Sequence, residues 1–314
     1  MDQLSPRLFA TVKTKPKSMI SRLSTMTRAI RSAGCLIIGD EVLNGKILDT
    51  NLFEFAKFCF NELEVPLKKT IVCGDDKQDI ISSLEILRQS NCELIVTSGG
   101  IGSTHDDITY DAISQAFSLL CQLDSETVSK MQVLRGKYLL LLSKPQLEAF
   151  YKMATLPQSS GNVAVLKLFT DESLWVPIVG VDEQVYILPG VPQLFKKLLA
   201  GLGKSIKGRV VSEKLTRYFV KTTTSESNLA PYLSGLQDRC NVKYGVGKIK
   251  LGSYPHFSWR INTISIIGDS SVSNKDLRLV VDDLLQNIGY DAKEISAEEE
   301  DHMSTNEPEV LNNS

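Results

Sequence analysis

The sequence predicts an α/β protein: a three-layer domain built on a parallel sheet, followed by a small α+β domain. Three observations carry that expectation. Short, wholly apolar runs bounded by glycines alternate with stretches of helical periodicity, as in strand–helix–strand units. The connections are short, which favours right-handed crossovers and a sheet covered on both faces. Beyond residue 204 the pattern changes to strands with clear alternation, such as Trp259 to Ile267, as expected where one sheet face is less buried. The chain divides into a basic leader (1–33), the main domain (34–203), the small domain (204–292) and an acidic tail (293–314).

Taken in order, Cys35 to Ile38 is a buried strand between Gly34 and Gly39, and Asp40-Glu41 ends it. A helix follows from Asp49, with Leu52, Phe53, Phe55, Ala56, Cys59, Phe60 and Leu63 at three- and four-residue spacings, Asp49 or Thr50 as its cap, and Pro66 closing it. Leu67 to Cys73 is the second strand and runs into Gly74-Asp75-Asp76. Ile80, Ile81, Leu84 and Leu87 mark the next helix. Glu93 to Thr97 is the third strand, and Ile108 to Leu120 the helix after it. Residues 123–157 read as helical. Val163 to Phe169, Trp175 to Val181 and Val185 to Leu188 read as strands, Pro189-Gly190-Val191-Pro192 as a turn, and Gln193 to Leu202 as a helix. In the small domain, Leu215 to Thr224 is a strand, Glu226 to Leu236 a helix, and Asp276 to Ile288 a closing amphipathic helix.

Composition bounds the function. With 314 residues there is room for a sizeable core, and 42% hydrophobic with 23% charged residues is ordinary for a globular protein. The net charge of −2 and the lack of a basic domain give no support for a nucleic-acid partner. No apolar run reaches the roughly 20 residues of a membrane span. The six cysteines are scattered without a Cys-x-x-Cys pair, so they are expected to be reduced core residues. Residues 1–33 hold seven basic residues against one acid, a composition that suits either a mitochondrial transit peptide or a disordered arm of a cytoplasmic protein. Glu298-Glu299-Glu300-Asp301 opens a tail expected to be disordered.

The candidate site is the turn after the third strand, Gly99-Gly100-Ile101-Gly102-Ser103-Thr104-His105-Asp106-Asp107. A glycine turn between a strand and a helix presents backbone N–H groups and the positive end of a helix dipole, which suits an anion. It lacks the Gly-Lys-Ser/Thr of a Walker A loop and the Gly-x-Gly-x-x-Gly of dinucleotide folds. Taken alone, such a turn serves structure as readily as function, and Asp106-Asp107 could simply cap the helix. Two further acidic turns, Asp40/Glu41 and Asp75/Asp76, follow other strands of the same sheet. In such folds the carboxyl ends share the edge where ligands bind. Carboxylates beside a phosphate imply an intervening cation, so a divalent metal is expected. Neither His105, His256 nor His302 completes a nucleophilic constellation.

The motifs resemble a known family. Ile38-Gly39-Asp40-Glu41-Val42-Leu43-Asn44-Gly45 with Asp49-Thr50-Asn51, the glycine loop through Asp107-Ile108-Thr109, and Leu188-Pro189-Gly190-Val191-Pro192 look like the CinA-type branch of the molybdopterin-binding (MoaB/Mog-like) superfamily. Lys152-Met153-Ala154 to Pro157, Trp175 to Val179 and Gly252-Ser253-Tyr254-Pro255 resemble the N-terminal molybdopterin-binding-like domain of eukaryotic FAD synthase. The chain departs from bacterial members in lacking their Asn-Pro-x-Gly-Thr-Ala-Pro-Gly segment. The resemblance implies metal-dependent hydrolysis of a dinucleotide pyrophosphate such as FAD or ADP-ribose. The alternatives are a molybdopterin-binding or adenylating protein, and a non-catalytic nucleotide-binding protein. It implies Asp75, Asp106 and Asp107 as metal ligands and catalytic residues, with Mg2+, Mn2+ or Co2+ and K+ as a further ion. Gly99, Gly100, Gly102, Thr104, Asp40, Asn51 and Gly190 would bind a nucleotide or pterin, and a homo-oligomer is expected.

Overall fold

The computed structural model describes residues 28–212 and 215–305. The transit-peptide signal of the leader therefore lies outside the described residues. Residues 28–33, placed with that leader by sequence, belong instead to the first domain. Ile30 is fully buried, its amide donates to the Arg209 carbonyl at 2.9 Å, and Val211 donates back to Ile30 at 2.8 Å.

The first domain runs β1 (Ala33–Ile38), α1 (Asp40–Leu43), α2 (Asn51–Lys57, prolonged by a π turn Phe58–Leu63), β2 (Leu67–Cys73), α3 (Lys77–Gln89), β3 (Leu94–Ser98) and α4 (Thr109–Ala116). It continues through β4 (Cys121–Leu123), α5 (Ser125–Leu139), α6 (Lys144–Lys152), β5 (Thr155–Pro157), β6 (Val165–Leu168), β7 (Ile178–Val181), β8 (Val185–Leu188) and α7 (Pro192–Ile206). The central sheet has the order β2-β1-β3-β8-β7-β6. Its first four strands are parallel, as expected; β7 and β6 are antiparallel, so the sheet is mixed. The reason is local. Positive φ at Asp182 and Glu183 turns the chain straight back between β7 and β8, where a parallel pair would need a long crossover. α3 packs on β1 and β2 with α4 beside it, while α2 and α7 pack together against β1 and β8. Every residue of β1 and β3 is buried, as strands covered on both faces must be.

The stretch 123–157 is not one helical region. It is an α5–α6 hairpin bracketed by β4 and β5, which pair antiparallel. Asp124 caps α5, its Oδ1 accepting from the Thr127 amide at 2.8 Å. The chain breaks at Ser143, whose amide donates to Gln146 Oε1 at 2.8 Å. Pro145 then starts α6 in the first turn, where its missing N–H costs nothing.

The expected boundary at 203/204 falls inside α7, which runs on to Ile206 because that side chain is buried with the first core. The second domain comprises β9 (Thr216–Thr222), α8 (Glu226–Tyr244), β10 (Ile249–His256), β11 (Ile261–Gly268), α9 (Asn274–Asn287), β12 (Lys293–Ile295) and α10 (Ala297–Thr305). Its sheet has the order β10-β11-β9-β12, antiparallel throughout. The tail expectation is thus corrected for residues 293–305. β12 pairs with β9, and Met303 of α10 packs on Phe219 and Ile295. Lys221 neutralises Glu299 at 2.5 Å, and Lys57 of the first domain reaches Asp301 at 3.6 Å, so the acidic run is ordered by cations distant in sequence. All six cysteines are free thiols, five of them buried. Among the described residues no helix is long and apolar enough to cross a membrane.

Candidate functional site

β1, β3 and β8 lie side by side, so the turns that follow them meet at one edge. Gly99 has φ 109°, and a Cβ there would stand 2.1 Å from the Ile38 carbonyl oxygen, so only glycine fits. The turn after β8 also comes close, though less tightly: a Cβ on Gly190 would lie 3.2 Å from Gly99 Cα. Asn51, at the start of α2, ties these turns together. Its Nδ2 donates to Ser98 Oγ at 2.8 Å and to the Gly190 carbonyl at 2.7 Å. The carbonyl accepts only, which fixes the amide orientation. Asn51 Oδ1 is buried without a partner among the described residues.

The turns open into a cavity of about 730 Å³. Gly99, Gly100, Gly102, Asp107, Asn51 and Gly190, all singled out by sequence, line it. Part of its wall is one the sequence did not assign to the site. Leu134 and Arg135 come from α5, Met153 follows α6, and Leu174, Trp175 and Val176 lead into β7. Phe150 of α6 braces Trp175, with ring centroids 5.7 Å apart. The helical period of α5 was readable, but nothing in it says that the hairpin folds back over the glycine turn. The Lys152 ammonium makes that link by donating to the Thr104 carbonyl.

The glycine loop differs in detail from a bare phosphate cradle. Asp107 Oδ1 accepts from the Gly102 amide at 2.5 Å, and its Oδ2 accepts from the Thr104 amide at 2.8 Å and from Thr104 Oγ1 at 2.5 Å. A Cβ on Gly102 would fall 2.5 Å from Asp107 Oδ2, so the glycine makes room for this carboxylate. Asp107 therefore occupies two of the amides that the sequence reading offered to a ligand, while those of Gly100 and Ile101 have no hydrogen bond among the described residues. Thr104 serves Asp107 and is not in the cavity wall.

Asp40 and Asp75 meet as expected: Asp40 N donates to Asp75 Oδ2 at 2.9 Å and Asp75 N to Asp40 Oδ1 at 3.4 Å. Burial, with the nearby charges of Glu41, Asp40 and Asp106, raises the Asp75 carboxyl above its usual range despite the Asp40 amide. Asp106 is exposed; Thr104 beside it, aided by His105 and Lys152, holds its carboxyl below the usual range. Asp76 is a helix cap, accepting from Gln78 and Asp79 amides at 2.9 Å each. Neither Asp40, Asp75 nor Asp106 lines the cavity. Among the described residues no three His, Cys, Asp or Glu side chains are grouped so that they could hold a metal ion. The acids share an edge, but Asp75, Asp106 and Asp107 do not assemble into the expected metal site, because Asp107 is turned into its own loop and Asp106 out to solvent.

Comparison with known proteins agrees with this architecture. Residues 34–207 match the family described as "Probable molybdopterin binding domain". The chain belongs to that family, and its first domain is of the MoaB/Mog-like, CinA type. Protein PH0439 of Pyrococcus horikoshii is 28% identical over 254 residues, covering 79% of this chain and 94% of the archaeal protein. A "Probable FAD synthase" of Caenorhabditis briggsae is 26% identical over 269 residues, covering 81% of this chain and 50% of the nematode protein. This chain thus matches half of that synthase. Among solved structures, CinA of Thermoplasma acidophilum superposes with a TM-score of 0.48 at 24% identity, covering 56% of this chain and 98% of that one.

Proposed function

We propose that the cleft beyond β1, β3 and β8 binds a phosphorylated, ring-bearing small molecule of nucleotide or pterin type. The observation that carries this reading is the composition of one cavity wall, which joins the glycine turn, with the available Gly100 and Ile101 amides, to Trp175, Leu174, Met153 and Leu134. Backbone amides at a strand-to-helix turn suit phosphate, and an aromatic and aliphatic wall suits a planar ring. The family's molybdopterin description and the synthase name of one relative support the same ligand classes.

Divalent-metal-dependent hydrolysis of a dinucleotide pyrophosphate is the second reading. The Asp107 carboxylate in the cavity wall favours it; the lack of a three-carboxylate group among the described residues weighs against it. Calorimetric titration of the full chain with FAD, ADP-ribose and a phosphorylated pterin, with and without Mg2+, Mn2+ or Co2+, tests both. Saturable binding of at least one compound is expected. No binding of any compound under any condition contradicts the proposal, and release of AMP with a metal would establish the hydrolytic reading.

A further inference from the structure

The α5–α6 hairpin ends in a turn, residues 140–143, that carries apolar side chains outward. Leu139 and Leu142 turn inward to the small core of Met131 and Ala154, while Leu140 and Leu141 are 87% and 82% exposed. Val133, two turns back on the same face of α5 as Leu140, is also largely exposed, and Tyr138 is half-exposed. Single exposed leucines are ordinary. An adjacent pair at the apex of a turn, where polar residues are the rule, is not. Backbone bonds hold the turn in shape: Leu141 N donates to the Tyr138 carbonyl at 3.0 Å and Leu142 N to the Leu139 carbonyl at 3.2 Å. Charge is arranged around this apex. From Thr127 to Leu147 there is no acid, against the bases Lys130, Arg135, Lys137 and Lys144, in a chain whose net charge is −2. Lys137 stands three residues before Leu140 and Lys144 three after Leu141, both exposed. Lys144 meets Glu148 only at 3.9 Å, a surface pair that yields readily to another anion.

We infer that this apex docks on an anionic lipid bilayer. Leu140 and Leu141 enter the boundary between headgroups and acyl chains, and Lys137 and Lys144 lie among the lipid phosphates. Apolar side chains projecting from a basic collar are what an interfacial anchor needs. The apex is too small for a stable protein–protein contact, because a handful of side chains falls well short of the roughly 800 Å² that each partner buries in one. A bilayer demands less area, since an apolar wedge and a basic patch act on it together. Docking here is independent of what the cleft binds.

The test is co-sedimentation of the full chain with vesicles of phosphatidylcholine, with and without phosphatidylserine. Wild type should bind the phosphatidylserine vesicles, and bind phosphatidylcholine alone about tenfold more weakly. Because residues 1–33 are basic too, the deciding readout is the difference between tip variants and wild type. Leu140→Ser with Leu141→Ser should weaken binding by about tenfold, through the apolar area that no longer enters the lipid. Lys137→Gln with Lys144→Gln should remove about tenfold of the preference for phosphatidylserine. All four side chains are exposed, so the melting temperatures of both double variants should match wild type. In Leu141→Trp protein, the added indole emission should shift to the blue with phosphatidylserine vesicles and stay unshifted with phosphatidylcholine alone. If wild type does not bind phosphatidylserine vesicles, or both double variants bind them as wild type does, the inference is overturned. A wild-type oligomer that the leucine variant dissociates, without loss of vesicle binding, assigns the apex to a second copy of the chain and overturns it as well.

Discussion

Asp107 combines two roles that the sequence could not separate. Its place in the glycine motif marks it as a residue of the site, and it does line the cavity. Its oxygens nevertheless accept three hydrogen bonds from Gly102 and Thr104, so it also shapes the loop from within. Asp107→Asn turns one accepting oxygen into an NH2 that must face an N–H or O–H donor. Leaving such donors unpaired costs about 2 kcal/mol, or a fall in melting temperature of about 6 °C for a domain of this size. Calorimetric melts check this, and an unchanged melting temperature would show that Asp107 is not a loop clamp. The glycines and Asn51 were legible because each position makes a strict local demand, as at Gly99, where any Cβ meets the Ile38 carbonyl. The fate of the neighbouring acids was not legible. Whether a carboxylate faces a ligand, caps a helix as Asp76 does, or bonds its own loop is decided by rotations of a few torsions, and spacing does not encode these.

The α5–α6 hairpin is the element that turns an edge of loops into a cleft. It is secured at its start by Asp124, whose Oδ2 meets Lys167 at 2.5 Å while Oδ1 caps the helix. Burial alone would raise the Asp124 carboxyl, but Lys167 and Thr127 outweigh it and lower the pKa. A depressed carboxylate contributes stability above its unfolded pKa of about 3.9 and loses that contribution as pH falls through the lower folded value. Asp124→Ala should therefore destabilise by about 1–2 kcal/mol at pH 7 from the lost cap, with the difference from wild type shrinking in denaturant melts near pH 3. The same variant should weaken ligand binding, because the loosened hairpin carries Leu134, Arg135 and Met153. A variant equally destabilised at both pH values would argue against the ionised cap. This element was half legible. Its periodicity announced helix, and the break at Ser143 with Pro145 is a local signal, but its return over the glycine turn depends on contacts distant in sequence.

At the scale of the whole molecule, alternation of apolar strands and amphipathic helices dictated the four parallel strands, the two helical layers and the separate second sheet. It did not reveal the antiparallel β7 and β6, which hang on one tight turn, or the ordered α10. There a run of four acids reads as solvated until Lys221 and Lys57 are brought to it by the fold. The result is a first domain with one sizeable, largely apolar cleft at the sheet edge and a second domain joined to it through α10 and through Arg217, which lies 4.0 Å from the ring of Phe60. The chain has two tryptophans, Trp175 in the cleft wall and Trp259 in the second domain. Tryptophan fluorescence can therefore report the cleft alone. The most direct measurement titrates Trp259→Phe protein with ADP-ribose, excited where the nucleotide does not absorb. A saturable change that is absent from Trp175→Phe protein is the result expected if the cleft binds this ligand class; no change in the former, or an equal change in both, would contradict it.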